Sequence, residues 1–224
     1  GVRRYGFHGT SHRYVSQRVC EFLGTSAEGK RIITCHIGNG ASIAAVKDGK
    51  CVDTTMGLTP LEGLMMGTRS GDIDAGAVTY LMDKFGLDTK GLSALLNKQS
   101  GLFGICGTSD FRDVLAGIAN GNDRARLAKE MYTYRIRKYI GAYAAAMGGV
   151  DIILFTGGAG ENQWEVREGA TKGLEYMGVH MDETRNHSCR ATEAIISAPD
   201  SPVTVCVIPT DEELMIALDT QSLA

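Results

Sequence analysis

The chain has 224 residues, 43% of them hydrophobic and 22% charged, and a formal net charge of -3 from 23 basic and 26 acidic side chains. That size and balance fit one large domain, or one lobe of a bilobal protein, with an ample core. No block of like charge marks a nucleic-acid footprint, and no run of about 18 apolar residues spans a membrane, so a phosphate-bearing ligand must be held by local geometry.

Ser11 suits the N-cap of a helix over residues 13–23, closed by Gly24. Residues 31–37 read as a buried strand, 41–46 as a second and 51–55 as a third, with Asp48-Gly49 as the hairpin turn that completes a meander. A glycine-punctuated stretch over 57–71 is too long for an ordinary connection. Helical patterns follow over 73–85, 92–97 and 111–118, and the strongest runs over 124–147. There Leu127, Met131, Ile136, Ile140, Tyr143 and Met147 recur at helical spacing. Residues 151–155 form a short strand, 163–177 a helix, 202–208 a strand and 212–218 a last helix. Strands that feed glycine turns and then helices predict an α/β domain with a mixed sheet and helices on its faces.

Glycine, at 29 residues against 4 prolines, clusters where chemistry is expected. His36-Ile37-Gly38-Asn39-Gly40 joins two strands, either as a plain hairpin or as a turn whose amides face an anion. Thr156-Gly157-Gly158-Ala159-Gly160-Glu161-Asn162 lies between a strand and a helix, where α/β sheets place ligands. It matches neither the Walker loop nor the dinucleotide fingerprint. Arg69, among the small residues of GTRSG, offers a planar fork for phosphate or a surface charge, while Asp72 and Asp74 suit helix caps. His8, in the glycine-flanked HGTSH segment, suits a hydrogen bond to a ligand better than a zinc site with His12. Its alternative is a buried, satisfied histidine. In PTDEEL, Thr210 or Asp211 suits an N-cap, and a carboxylate there suits a hydrated magnesium ion. The six cysteines form no CxxC pair and read as reduced thiols of a cytosolic protein.

HGTSH, HIGNG, TPLEGLMMGTRSGDID, FTGGAGEN and PTDEEL, in this order, resemble the motifs of the acetate kinase family over almost the whole chain. The resemblance implies a ribonuclease-H-like lobe of the acetate and sugar kinase, Hsp70 and actin superfamily. It also implies ATP- and magnesium-dependent, reversible phosphorylation of acetate to acetyl phosphate in a cytoplasmic homodimer, without nucleic acid or membrane partners. Carried over by position, His8 and Arg69 resemble the groups that meet the transferred phosphoryl. His36, Ile37, Gly38, Asn39 and Gly40 resemble a phosphate loop, and Asp110, Phe111 and Arg112 the adenosine contact. Gly157, Gly158, Ala159, Gly160 and Glu161 resemble a second nucleotide loop, and Glu212 the magnesium-associated carboxylate.

The family commonly has Ile or Val at Ala159, Asn at Asp211 and Pro at Ala75. Its early Asn, its acyl-gripping Arg, another His and an Asp near the attacking oxygen have no substitutes here. The chain starts at Gly1 without methionine, and the resemblance implies that residues 1–224 are the C-terminal nucleotide-binding and catalytic lobe. Residues 212–224 would return toward a missing N-terminal lobe, with Leu214, Met215 and Leu218 exposed. A propionate or butyrate kinase, or a non-catalytic nucleotide-binding or dimerisation fragment, are the alternatives.

Overall fold

Alternation along the strands sets the architecture of the computed structural model, which describes residues 1–223. Strand β1 (Arg31–Ile37) sends Ile33, Cys35 and Ile37 to one face and Ile32, Thr34 and His36 to the other. It pairs antiparallel with β2 (Ala41–Lys47), which pairs antiparallel with β3 (Lys50–Thr54) through the Asp48-Gly49 turn. On its other edge β1 pairs parallel with β4 (Ile152–Thr156), and β4 pairs parallel with β6 (Thr204–Val207). The two-residue β5 (Ala194–Ile195) lies antiparallel to β6. The order β3-β2-β1-β4-β6-β5 is the expected mixed, ribonuclease-H-like sheet.

Helices cover both faces, also as expected. Val15, Val19 and Cys20 of α1 (Gly9–Phe22) bury Ile32, Ile152, Leu154 and Cys206. On the opposite face α6 (Asp123–Met147) packs Tyr132, Ile136, Ile140 and Met147 against Ile33, Ile43, Ile153 and Phe155. Each fully buried aliphatic side chain contributes roughly 1.5–3 kcal/mol. The helix starts are encoded locally. Asp74 caps α2 (Ala75–Phe85), Asp88 caps α3 (Thr89–Lys98), Asp110 caps α5 (Phe111–Ala119) and Asn122 caps α6, each accepting backbone N–H groups of the first turn.

Several expectations are corrected. Ser11 lies inside α1, and His8 occupies the cap position in a left-handed conformation, φ 55°. Asp72 does not cap. It accepts hydrogen bonds from Gly63 N and Tyr139 OH and so pins the ends of the long loop. Leu127 and Met131 are exposed, because Ala125, Ala128 and Tyr132 form the buried stripe of α6. The segment 163–177 is not one helix. It breaks into α8 (Trp164–Thr171) and a 3-10 turn over Glu175–Met177. The glycine cluster after β4 is not a loop but a helix in its own right, α7 (Gly157–Asn162). Three short elements went unpredicted: α4 (Gly101–Cys106), α9 (Glu183–Ser188) and β5. In α10 (Glu212–Leu223) Leu214 and Leu218 are exposed, but Met215 is buried against the lobe.

Arg167 of α8 is fully buried yet meets no carboxylate among the described residues. Its guanidinium donates to the carbonyls of Gly160, Glu161, Asn186 and Cys189 and to Asn186 Oδ1, at 2.7–3.1 Å. Burial lowers its pKa to about 10, so the cation persists at neutral pH and fastens α7 to α9. Arg167→Met is expected to leave these carbonyls unpaired and cost about 3 kcal/mol. Urea denaturation checks this: the midpoint should fall at constant m-value, and an unchanged midpoint contradicts it.

Candidate active site

The parallel pair β1/β4 ends at the register His36↔Thr156, and each strand then passes into glycine. Gly157 has φ +77°, and a Cβ there would lie 3.0 Å from the Ile37 carbonyl, so only glycine lets the second turn close on the first. A Cβ on Gly38 would come within 4.0 Å of Gly158 N, so the two turns stand side by side.

They form one wall of a cavity of about 670 Å³, to which Gly38, Asn39, Gly158 and Ala159 contribute. Asp110, Phe111 and Arg112 line another part, which brings the three predicted nucleotide segments together. Asp110 caps α5 and pairs with Arg112 at 2.5 Å, which holds its carboxyl below the usual range. Asn162, the last residue of the second glycine cluster, joins the lining, and Leu102, Ser109, Tyr132 and Gln163, which sequence reasoning missed, complete it. Tyr132 hid inside the apolar stripe of α6, and its hydroxyl reaches the Gly38 carbonyl at 3.4 Å.

The long loop brings the arginine. Gly67 N donates to the Asn39 carbonyl at 3.2 Å, and a Cβ on Gly67 would collide with Asn39 Oδ1. Two residues on, the Arg69 guanidinium lies over Gly40, 3.3 Å from where a Cβ would stand. Its Nη1 donates to the Pro60 carbonyl at 2.8 Å, and Arg69 joins no ion pair among the described residues. The cation is therefore held in place without being neutralised.

Helix α1 and its cap residue bring two imidazoles to His36 of β1. His8 stacks on His36 with ring centroids 4.1 Å apart, and His12 meets both edge-on at 6.4 and 6.3 Å. His8 Nδ1 is 2.8 Å from Ser42 Oγ, which is 2.7 Å from His12 Nε2, while His12 Nδ1 is 2.7 Å from Thr34 Oγ1. His36 Nδ1 is 2.8 Å from Ser11 Oγ, and Ser11 accepts from Thr210 Oγ1 at 2.9 Å. Burial, with repulsion from His36 at His8 and from His36 and His8 at His12, lowers the three pKa values to about 4 for His8, about 3 for His12 and about 4 for His36. Arg69 lowers the His8 value further, and Glu212 opposes it, so both act on the same imidazole.

Not every predicted residue faces the cavity. Gly157 and Gly160 are buried under the turn. The Glu161 carboxylate folds back to accept from Gly157 N at 2.8 Å, Thr156 Oγ1 at 3.2 Å and Thr210 N at 3.3 Å, joining the ends of β4 and β6. Ile37 is core, and His36 and Gly40 belong to the histidine and arginine cluster. Glu212 is exposed at the start of α10, which Asp211 caps through Leu214 N. All six cysteines are unpaired. The hydroxyl partners Thr34, Ser42 and Thr210 were not foreseen. Their signal was spacing: residues 8, 11 and 12 share a helix face, and 34 and 36 share a strand face.

Comparison with known proteins gives matches along the chain. The model of the acetokinase family matches residues 1–218. An acetate kinase of Bacteroides thetaiotaomicron is 70% identical over 224 residues, covering 100% of this chain and 56% of the relative. The crystal structure of Porphyromonas gingivalis acetate kinase superposes with a TM-score of 0.97 at 60% identity, over 99% of this chain and 56% of that one. A propionate kinase from Francisella tularensis gives 0.92 at 43% identity, over 99% and 56%. The chain thus spans about 56% of the length of the relatives it matches.

Because the folded state keeps the three imidazoles neutral, it binds fewer protons than the unfolded chain in the window between about 6.5 and the lowered values of about 4 and 3. Their contribution to stability is present above pH 6.5 and lost as pH falls through that window. Urea midpoints measured from pH 7 to pH 4.5 should decline, and His12→Gln should flatten the decline. A slope identical in the variant refutes the assignment.

Proposed function

The chain belongs to the acetokinase family, and from that premise we propose that it is the nucleotide-holding, phosphoryl-handling C-terminal lobe of an acetate kinase. The reaction is reversible phosphoryl transfer between ATP and acetate, giving ADP and acetyl phosphate. The observation that carries this reading is the unpaired Arg69 cation over Gly40, held in one cluster with His8 beside the cavity of the two glycine turns. A carboxylate oxygen needs no general base to attack phosphorus, so the protein's task is placement and neutralisation of charge on the phosphoryl oxygens. Arg69 supplies a fixed cation there, and His8 an imidazole.

The nucleotide lies along the cavity, with its phosphates toward Gly38, Asn39 and Gly158 and its adenosine toward Asp110, Phe111, Arg112 and Ala159. Magnesium keeps several waters and uses one or two carboxylates beside substrate phosphates, and a single exposed Glu212 fits that donor set. When bound, the ion would neutralise charge on the phosphate oxygens. A second lobe completes the acyl side of the site, and Glu212 to Leu223 lead toward it, Ala224 lying outside the described residues. The likeness to a propionate kinase favours a second reading, in which the acyl group is one carbon longer. We further propose a cytoplasmic homodimer. Its support is α2, an apolar helix without a buried residue that exposes Tyr80 and Phe85, together with six free thiols.

In the full-length enzyme Arg69→Ala is expected to lower turnover by about 10³-fold or more while the Kd for magnesium-ATP moves only a few-fold. Coupled assay and isothermal titration together check this. Turnover like that of the unaltered enzyme rules out the role given to Arg69, and acetate compared with propionate as acceptor decides the acyl group.

A further inference from the structure

His8 can help an anionic phosphoryl oxygen only if the ring nitrogen that meets it carries a proton. The ring is neutral near pH 7, since burial and the stacked His36 both oppose the imidazolium. A neutral imidazole has one N–H, and which nitrogen holds it is set by the bond the other nitrogen makes. Nδ1 is tied to Ser42 Oγ. Nε2 has no hydrogen-bond partner among the described residues and is not among the buried unpaired atoms, so it is open to a ligand.

The chain behind Nδ1 has two self-consistent directions, and its far end chooses between them. Thr34 is fully buried, and its hydroxyl proton has two acceptors in reach: His12 Nδ1 at 2.7 Å and the Ala44 carbonyl at 3.4 Å. The shorter bond is the effective one. If Thr34 donates to His12 Nδ1, His12 carries its proton on Nε2 and donates to Ser42 Oγ at 2.7 Å. The Ser42 hydroxyl is fully buried with no other acceptor among the described residues, so its own proton goes to His8 Nδ1 at 2.8 Å, which leaves the His8 proton on Nε2. The opposite direction strands the Thr34 proton on the 3.4 Å contact and turns a bare lone pair of His8 toward the phosphoryl group.

We propose that Thr34, His12 and Ser42 are positioning residues that fix His8 as the Nε2–H tautomer, so that the neutral ring donates a hydrogen bond to the transferred phosphoryl group. No net proton moves. The inference rests on the reading that His8 meets that group. Ser42 has a second task. His8 sits at φ 55°, a conformation that a non-glycine residue adopts at a cost, so the ring's place depends on what holds its side chain.

The test is nitrogen NMR of the 15N-histidine-labelled chain, which has five histidines, with His8 assigned by His8→Asn. The expected spectrum shows a protonated Nε2 and a lone-pair Nδ1 at His8, with no second tautomer. A protonated Nδ1, or a mixture, overturns the proposal, and should His8→Asn fold poorly, through-bond correlation from the His8 backbone to its ring assigns the signals in the unaltered protein. In Ser42→Ala the second tautomer should appear. In the full-length enzyme that variant should lose about tenfold in kcat with KM for magnesium-ATP unchanged, the scale on which partners behind a reactive imidazole act. Ser42→Thr, which keeps the hydroxyl, should restore kcat. Full turnover in full-length His8→Asn would instead overturn the reading that His8 meets the phosphoryl group, and with it the use made of the tautomer, whatever the spectrum shows.

Discussion

The contact between Ile37 and Gly157 governs the rest of the structure. Two parallel strands end level with one another, and both must turn away within the width of one backbone. A side chain on Gly157 would separate the turns, and with them the wall shared by Gly38 and Gly158. The long loop then docks on that wall through the Gly67–Asn39 contact, and Arg69 arrives as a consequence. No part of this needs a large surface charge, which agrees with a net charge of only -3.

Charge is spent unevenly across the lobe. Arg31, Arg112 and Arg18 meet carboxylates, and buried Arg167 is saturated by carbonyls. Arg69 accepts neither arrangement; it is steadied by one carbonyl and a methionine sulfur. Within reach of its charge stands the neutral His8 imidazole, stacked on His36, a poor environment for a bare cation in a closed core but a suitable one for an incoming anion. The imidazoles cannot all charge together, because His8 and His36 are stacked face to face.

Much of this was legible in the sequence. The meander, the parallel strands and the strongest helix carry periodic apolar patterns and strong punctuation, so their elements fall within a few residues of expectation. Misreadings arose where two local signals competed. Ser11 looks like a cap because serine commonly is one, but its hydroxyl is claimed by His36 across 25 residues of chain. Leu127 and Met131 look like core because leucine and methionine usually are. The buried stripe there includes instead the small residues Ala125 and Ala128, and Ala125 lies against Gly117 of α5. The cavity residues Ser109, Gln163 and Tyr132 carry no motif, since lining a space is a property of the assembled walls.

The histidine cluster shows why a site is less legible than a fold. Each member is ordinary alone: a serine in a helix, a threonine in a strand, a histidine in a turn. Strand alternation puts Thr34 and His36 on one face, the antiparallel register sets Ser42 opposite His36, and helical spacing turns His8, Ser11 and His12 toward them. Three independent periodicities must agree before the hydroxyls find the ring nitrogens. The agreement is anchored by α1, whose apolar face packs on Ile32 and Leu154 and whose outer flank is tied to α10 through Arg13 and Asp219. Since α10 begins at Glu212, the helix that carries His8 and His12 and the helix that carries the candidate magnesium carboxylate form one packed unit. A displacement of the chain beyond Thr210 would therefore reach His8 through packing as well as through the Thr210–Ser11–His36 hydrogen bonds.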